Sequence, residues 1–422
     1  MKRYRLREQM NGIPEPPGKV WFWELAAGVI DAGRCIQCGT CVAACPSNSI
    51  GVNTRTGLPE LVKMCTGCSL CWDFCPRGGL RYEALRPTST PQDHPGEATA
   101  ATRADPAASS WQSTGDPPAD GLGSLLGRYA VRASVKPDGV QDGGAVTAVL
   151  CALLDAGEID GALVSKPSED EDQPWKGVAT VATTPAEVVA SAGSFYNQTM
   201  ALSELDLSRY PSLPPRPRLA VVGTPCEVQG LTAMQARRWS TGAHRVDAVV
   251  LSIALLCTKS FDYESLVLHE LRDRHGIDLK RVAKIDVVRG RLVVEYRGGE
   301  VALDEPVKDF HGAALEGCDE CADFLGRTAD LSVGAVGSID GWSSVLVRTE
   351  RGRRAFEVAR SRLDVRDLDD PGALARLDAL DKRIALRSLE RAFDPDAPLF
   401  IDYEEHVRSY EGTTRQPVVI RR

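Results

Sequence analysis

The 422 residues are 43% hydrophobic and 26% charged, a composition that suits two or three folded domains. The longest mostly apolar run, Ala248 to Cys257, is ten residues, about half of what a membrane-spanning helix needs, and the N-terminal stretch before Val20 carries no apolar signal core. A formal charge of -8 argues against general nucleic-acid binding, which needs a basic stripe to displace counterions from phosphate. A cytoplasmic location is expected, with at most peripheral membrane association through a partner.

Residues 1–26 read as an N-terminal extension, and residues 27–86 as the first domain. The informative number is thirteen cysteines. With no export signal they are not needed as disulfide staples, so clustered thiols point to metal. Cys35, Cys38, Cys41 and Cys45, then Cys65, Cys68, Cys71 and Cys75, each spell C-x2-C-x2-C-x3-C-P. This repeat is the bacterial two-cluster ferredoxin signature. Three thiols of each run aim at one cube, and the fourth, turned away by its proline, reaches the other. The expected ligand sets are Cys35, Cys38, Cys41 and Cys75 for one 4Fe-4S cluster and Cys65, Cys68, Cys71 and Cys45 for the second. Zinc knuckles also use C-x2-C pairs, but they rarely repeat a four-cysteine run closed by proline. Gly39 and Gly67 fit either amides approaching cluster sulfurs or simple tight turns.

Residues 87–121 contain no Leu, Ile, Val, Phe or Met, and they read as a disordered linker with Trp111 as a lone aromatic. Charge divides at this segment: residues 1–86 carry +4, leaving -12 for the remainder. From Leu122 short apolar strands alternate with helical stretches, the pattern of an α/β core spanning 122–368. Val146, Val149, Leu150, Leu153 and Leu154 recur at helical spacing, with a stop at Gly157 and a strand at Gly161 to Ser165. Leu219 to Gly223 and Val246 to Leu256 read as buried strands. Residues 284–305 alternate with period two around an Arg-Gly and an Arg-Gly-Gly turn, which predicts a meander. Residues 369–422 form a C-terminal segment whose Pro371 to Phe393 stretch reads as an amphipathic helix.

Five cysteines remain. Cys151 sits among apolar helix positions and reads as core. Cys226, Cys257, Cys318 and Cys321 lie in loops at strand ends, where one C-x2-C pair and two single thiols suffice for a third 4Fe-4S cluster. A redox dithiol at Cys318 and Cys321, or inert buried thiols, are equally open from spacing alone. The histidines show no metal spacing; His311, upstream of Cys318, is the one placed to approach a cluster.

The ordered motifs DGGAVTAVLCALLDAGEIDGALV, SAGSFYNQ, VVGTPCEVQGL, LLCTKSFDYESL and GCDECADFLGRTADLSVGAVGSIDGW resemble the family of coenzyme F420 hydrogenase/dehydrogenase beta subunits over roughly residues 122 to 360. With the ferredoxin repeat in front, the chain is similar to the electron-input subunit of reduced-F420 dehydrogenases. The resemblance implies a two-cluster ferredoxin domain followed by a mixed α/β (α+β) core that binds FAD, coenzyme F420 as substrate, and a third 4Fe-4S cluster on Cys226, Cys257, Cys318 and Cys321. It also implies flavin contacts from Gly143, Gly144, Ala145, Val146 and Thr147 at the start of a helix, where free amides face a phosphate. Ser194, Tyr196 and Asn197, Thr224, Pro225 and Gln229, and Lys259 complete the expected FAD set, with Phe195 departing from the family pattern. No side chain is required as a general acid or base, because hydride passes at FAD N5. The implied activity is F420-dependent oxidoreduction, with ferredoxin or a partner complex taking or giving single electrons. Two other readings use the same parts: a non-catalytic relay subunit of a larger complex, and a reductase of another substrate, as for a hydroxymethyl chlorophyll.

Overall fold

Residues 20–80 and 121–388 are described in the computed structural model, apart from 54, 138 and 237–240. The expected linker with Trp111 and the segment from 389 onward lie outside the described residues.

The N-terminal region is built on its own repeat. Helix α1 (Phe22–Leu25) runs into a wider helical turn, Ala26–Ile30. Two short helices lie inside the paired cysteine runs, α2 (Thr40–Ala44) with Cys41 and α3 (Leu70–Asp73) with Cys71, each opened by a left-handed residue, Gly39 and Ser69. Between them β1 (Ile50–Val52) and β2 (Pro59–Leu61) form an antiparallel hairpin. Val20, Phe22, Leu25 and Val29 pack with Cys41, Cys45, Cys71, Cys75 and Trp72, so this core already begins ahead of residue 27.

The larger region holds β3 (Gly127–Ala133), α4 (Ala145–Asp155), β4 (Gly161–Pro167), β5 (Gly177–Ala182), α5 (Pro185–Ala190), β6 (Leu219–Gly223), α6 (Pro225–Ala236) and β7 (Val249–Leu255). There follow the wide helix α7 (Glu264–Arg274), the meander β8 (Val282–Val288), β9 (Arg291–Tyr296) and β10 (Val301–Pro306), then β11 (Leu331–Gly334), β12 (Ser343–Val347), α8 (Glu350–Ala359), β13 (Leu363–Asp367) and α9 (Pro371–Ser388). Among the described residues one mixed sheet has the order β13-β3-β12-β11-β7-β6-β4-β5. Its centre, β11-β7-β6-β4, is parallel and its flanks antiparallel. The parallel strands are buried on both faces, which is why Leu219–Gly223 reads as one apolar run rather than an alternation.

Local chemistry explains the boundaries. Helix α4 stops where Gly157 takes a left-handed φ of 63°, the usual C-terminal reversal. Arg289 and Gly290 both have positive φ, 51° and 77°, as a two-residue hairpin turn requires. The strand expected over Val246 to Leu256 is shorter than its apolar content suggests: residues 241–248 form a tight helical turn, and β7 starts at Val249. Asp247 interrupts the apolar run there, and the chain turns before it enters the sheet. Helix α9, expected as a separate tail element, packs Leu374 with Leu122, Phe324, Leu325 and Leu346 of the core.

Candidate redox site

The site begins at the seam between the two regions. Gly39 lies so close to the backbone of Met200 and Ser203 that a Cβ would stand 2.7 Å from each. Gly230 of α6 meets the Thr40 side chain in the same way, and Gly317 meets the carbonyl of Arg34. Arg34 makes a two-pronged ion pair with Glu320, and Arg245 donates to the carbonyls of Val42 and Ala43. The ferredoxin-like loops therefore rest directly on the loop that carries Cys318 and Cys321.

The cysteines gather in three places. Cys41 has Cys35, Cys38 and Cys75 as thiol neighbours, and Cys75 has Cys38 and Cys35. Cys71 has Cys68, Cys65 and Cys45. Each fourth cysteine is thus with the other run. In the core, Cys257 has Cys318 and Cys321 as neighbours, and Cys226 has Cys321. The three groups also adjoin one another: Cys41 meets Cys71, and Cys226 meets Cys38 and packs with it and Ile36. Among the described residues no three His, Cys, Asp or Glu side chains close on one point as ligands of a single ion. A cubane instead takes its thiolates at separate corners.

Electrostatics and hydrogen bonds fit clusters in these places. Burial drives the thiols of Cys35 and Cys75 up to about 12, and those of Cys41, Cys71, Cys226 and Cys257 well above the ordinary value. Neighbouring thiols push several of them further, so only a bound metal makes thiolates of them at neutral pH. Backbone amides point at the sulfurs: Gln37 to Cys35, Gly67 to Cys65 and Arg77 to Cys75 at 3.4 Å, and Ser49 to Cys45 at 3.2 Å. Around the core group, the Gln198 amide donates to Thr224 Oγ1 at 3.1 Å and to Ser260 Oγ at 3.0 Å. Thr224 Oγ1 is 3.1 Å from Cys226 Sγ, and the Ser260 amide donates to Cys318 Sγ at 3.4 Å. Gln198, Ser260 and Arg77 were not singled out in the sequence, where polar loop residues have no periodicity to mark them; adjacency to a cysteine motif was the one available signal.

The residues expected to touch a flavin fall in two places. Gly143 is packed hard: a Cβ would stand 2.2 Å from the Val131 carbonyl, and its amide donates to Ser343 Oγ at 3.1 Å. Gly144, with φ 69°, opens α4, and Ala145, Val146 and Thr147 form its first turn, whose amides have no partner within the helix. Ser194 Oγ donates to Gln141 Oε1 at 2.5 Å beside that turn. Tyr196 is turned to the meander: its hydroxyl lies 3.1 Å from Asp286 Oδ1, accepts from the Val287 amide at 2.7 Å, and its ring meets Phe261 edge-on. Asn197 pairs with the backbone of Gly177 in both directions. Thr224 and the buried Pro225 instead precede Cys226 at the start of α6, with Gln229 buried one turn on, and Lys259 is ion-paired with Asp319 in the Cys318–Cys321 loop. The first turn of α4 thus fits an anionic group, while Tyr196 and Asn197 already have protein partners. His311 is exposed near Lys259; partial burial and that lysine lower its pKa. Cys151 is buried in the main core, apart from all three groups.

Sequence comparison accounts for this layout. A 4Fe-4S dicluster domain matches residues 28–81. The N-terminal part of the coenzyme F420 hydrogenase/dehydrogenase beta subunit matches residues 129–206, and its C-terminal part residues 217–371. The chain belongs to the family of coenzyme F420 hydrogenase/dehydrogenase beta subunits. Within it, the chain is 30% identical to the coenzyme F420-dependent sulfite reductase of Methanocaldococcus jannaschii over 79% of its own length, and spans 47% of that longer protein. It is 26% identical to a subunit of the F(420)H(2) dehydrogenase of Methanosarcina mazei, covering 82% of this chain and 88% of that one. The fold is similar to a chain of the F420-reducing nickel-iron hydrogenase complex from Methanosarcina barkeri, with a TM-score of 0.59 and 27% identity over 64% of this chain and 92% of the other. No helix among the described residues is long and apolar enough to cross a membrane.

Proposed function

We propose that the chain exchanges a hydride between coenzyme F420 and a bound FAD, and passes single electrons through three 4Fe-4S clusters to or from ferredoxin or a redox partner complex. The observation that carries this reading is the unbroken adjacency of three four-thiol groups, from Cys257 and Cys318 in the core to Cys65 and Cys68 at the other end. A 5-deazaflavin trades hydride and iron-sulfur clusters take single electrons, so a flavin with three stable redox states supplies the conversion between them. The names of the relatives support the coenzyme F420 side; FAD follows from the family resemblance.

The residues divide the work. The first turn of α4 offers amides to an anionic part of the flavin. Gln198, Thr224 and Ser260 hold the sulfurs of Cys226 and Cys318 in fixed hydrogen bonds, which bias a cluster's potential. At the far end Cys65 and Cys68 are half-buried, beside the exposed Val62 and Met64. Trp21 lies against Gly67 and stacks on the exposed Trp23 at 5.1 Å. This apolar rim suits brief docking of a redox protein.

Anaerobic absorbance of the reconstituted chain tests the reading. Reduced coenzyme F420 is expected to bleach flavin and cluster bands, while NADH and NADPH leave them unchanged. Full iron content with no bleaching by reduced coenzyme F420 would assign the fold another donor.

A further inference from the structure

One buried charge has no part in the chemistry above. Arg77 is 2% exposed and follows Cys75 by two residues. Its Nε donates to the Gly317 carbonyl at 2.5 Å and an Nη to the Pro76 carbonyl at 3.1 Å. Among the described residues no carboxylate is bonded to it. Glu320, whose charge reaches it, is held by both oxygens on Arg34. Gly317 directly precedes Cys318, and the Arg77 amide donates to Cys75 Sγ at 3.4 Å, so the guanidinium lies between the core thiols and the first ferredoxin-like group, where the charges of Cys321, Cys226, Glu320 and Cys318 act on it.

A guanidinium stays protonated in proteins and is costly to bury without a compensating negative charge. Neutral thiols supply none. Thiolates on two iron-sulfur clusters do, and the two Arg77 hydrogen bonds to carbonyls fix the cation at the seam while leaving its charge to them.

We propose that Arg77 is a positioning residue for charge between the core cluster and the adjoining ferredoxin cluster, raising the reduction potentials of both and damping the repulsion between them. The proposal rests on the cluster reading given above. Each added electron makes a cluster more negative, and a fixed cation nearby favours that state. Transfer then takes one electron from one cluster and gives it to the other, with no bond or proton moving. Arg77 is tied by hydrogen bonds to the loop of Cys318 and to Cys75, members of the other two groups, and the group of Cys45, Cys65, Cys68 and Cys71 serves as the internal reference.

The test is a redox titration of the anaerobically reconstituted full chain followed by electron paramagnetic resonance, with iron and sulfide assayed in parallel. Arg77→Met is expected to keep parental iron and to lower two of three midpoint potentials, each by roughly a tenfold change in the one-electron equilibrium, about 59 mV. Arg77→Lys, which restores the charge, is expected to recover most of that shift. Parental iron with all three potentials unmoved in Arg77→Met overturns the proposal. If Arg77→Met loses iron, Arg77→Lys decides: near-parental iron and potentials support a charge role, and the same loss overturns it in favour of a scaffold role. A parent chain that assembles fewer than three clusters would overturn the cluster reading itself, and the proposal with it.

Discussion

Asp381 shows at the scale of one residue what burial beside another carboxylate does to a titrating group. It lies on α9, with Oδ2 buried and unpartnered among the described residues. Burial, and then the neighbouring Asp378, push its carboxyl up to about 8. Its folded pKa is above the unfolded value of about 3.9. The fold therefore holds the proton more tightly than the unfolded chain does. The stability this contributes is complete below about pH 4 and is lost as pH rises through about 8. Asp381→Asn keeps the shape and removes the titration. Thermal unfolding of the anaerobic protein between pH 6 and 9 is expected to slope downward in the parent and less steeply in the variant; equal slopes would show that the carboxyl is already ionised. Asp378 behaves oppositely. Burial raises its pKa, but Arg327 at 2.7 Å outweighs burial and holds it below the ordinary carboxylate value.

Among the elements, those with a local chemical cause were legible in the sequence. Helix α4 announces itself by apolar spacing and its terminal glycine, and the meander by alternation around Arg289 and Gly290. The paired ferredoxin runs read as two crossed ligand sets because their spacing and closing prolines match a known signature. What was not legible depends on contacts distant in sequence. Gly143 reads as a phosphate-binding glycine, yet its missing side chain makes room for the Val131 carbonyl and Ser343. Gln198 gathers Thr224 and Ser260 only because β6, β7 and the segment after Asn197 converge. Gly317 is the element-scale test. Its φ is not left-handed, so alanine is conformationally allowed, but a Cβ would stand 2.1 Å from the Arg34 carbonyl and 2.9 Å from Ile36. Gly317→Ala is expected to cost about 1–3 kcal/mol by forcing the loops of Arg34 and Gly317 apart. Thermal unfolding measures it, and an unchanged midpoint would mean that the seam is loose.

Across the whole molecule, the ferredoxin-like region is seated on the core rather than held beside it. The close contacts of Gly39, Gly230 and Gly317, the Arg34–Glu320 pair and the buried Arg77 all fall on that seat. The sheet brings the loops after β6 and β7 to one edge, where Cys226 and Cys257 meet the Cys318–Cys321 loop. That convergence adjoins Cys38, so the core thiols lie directly against the first ferredoxin-like group. On the proposed path, removing the core group interrupts transfer while leaving the thiols of both ferredoxin-like runs in place. The most direct measurement is rapid anaerobic mixing of reduced coenzyme F420 with the parent and with Cys226→Ala, following flavin and cluster absorbance while iron is assayed. The expected variant holds about four fewer irons, bleaches its flavin at the parental rate, and leaves its ferredoxin clusters oxidised. Ferredoxin clusters that reduce as fast in this variant as in the parent, with the iron gone, would contradict a path through Cys226, Cys257, Cys318 and Cys321.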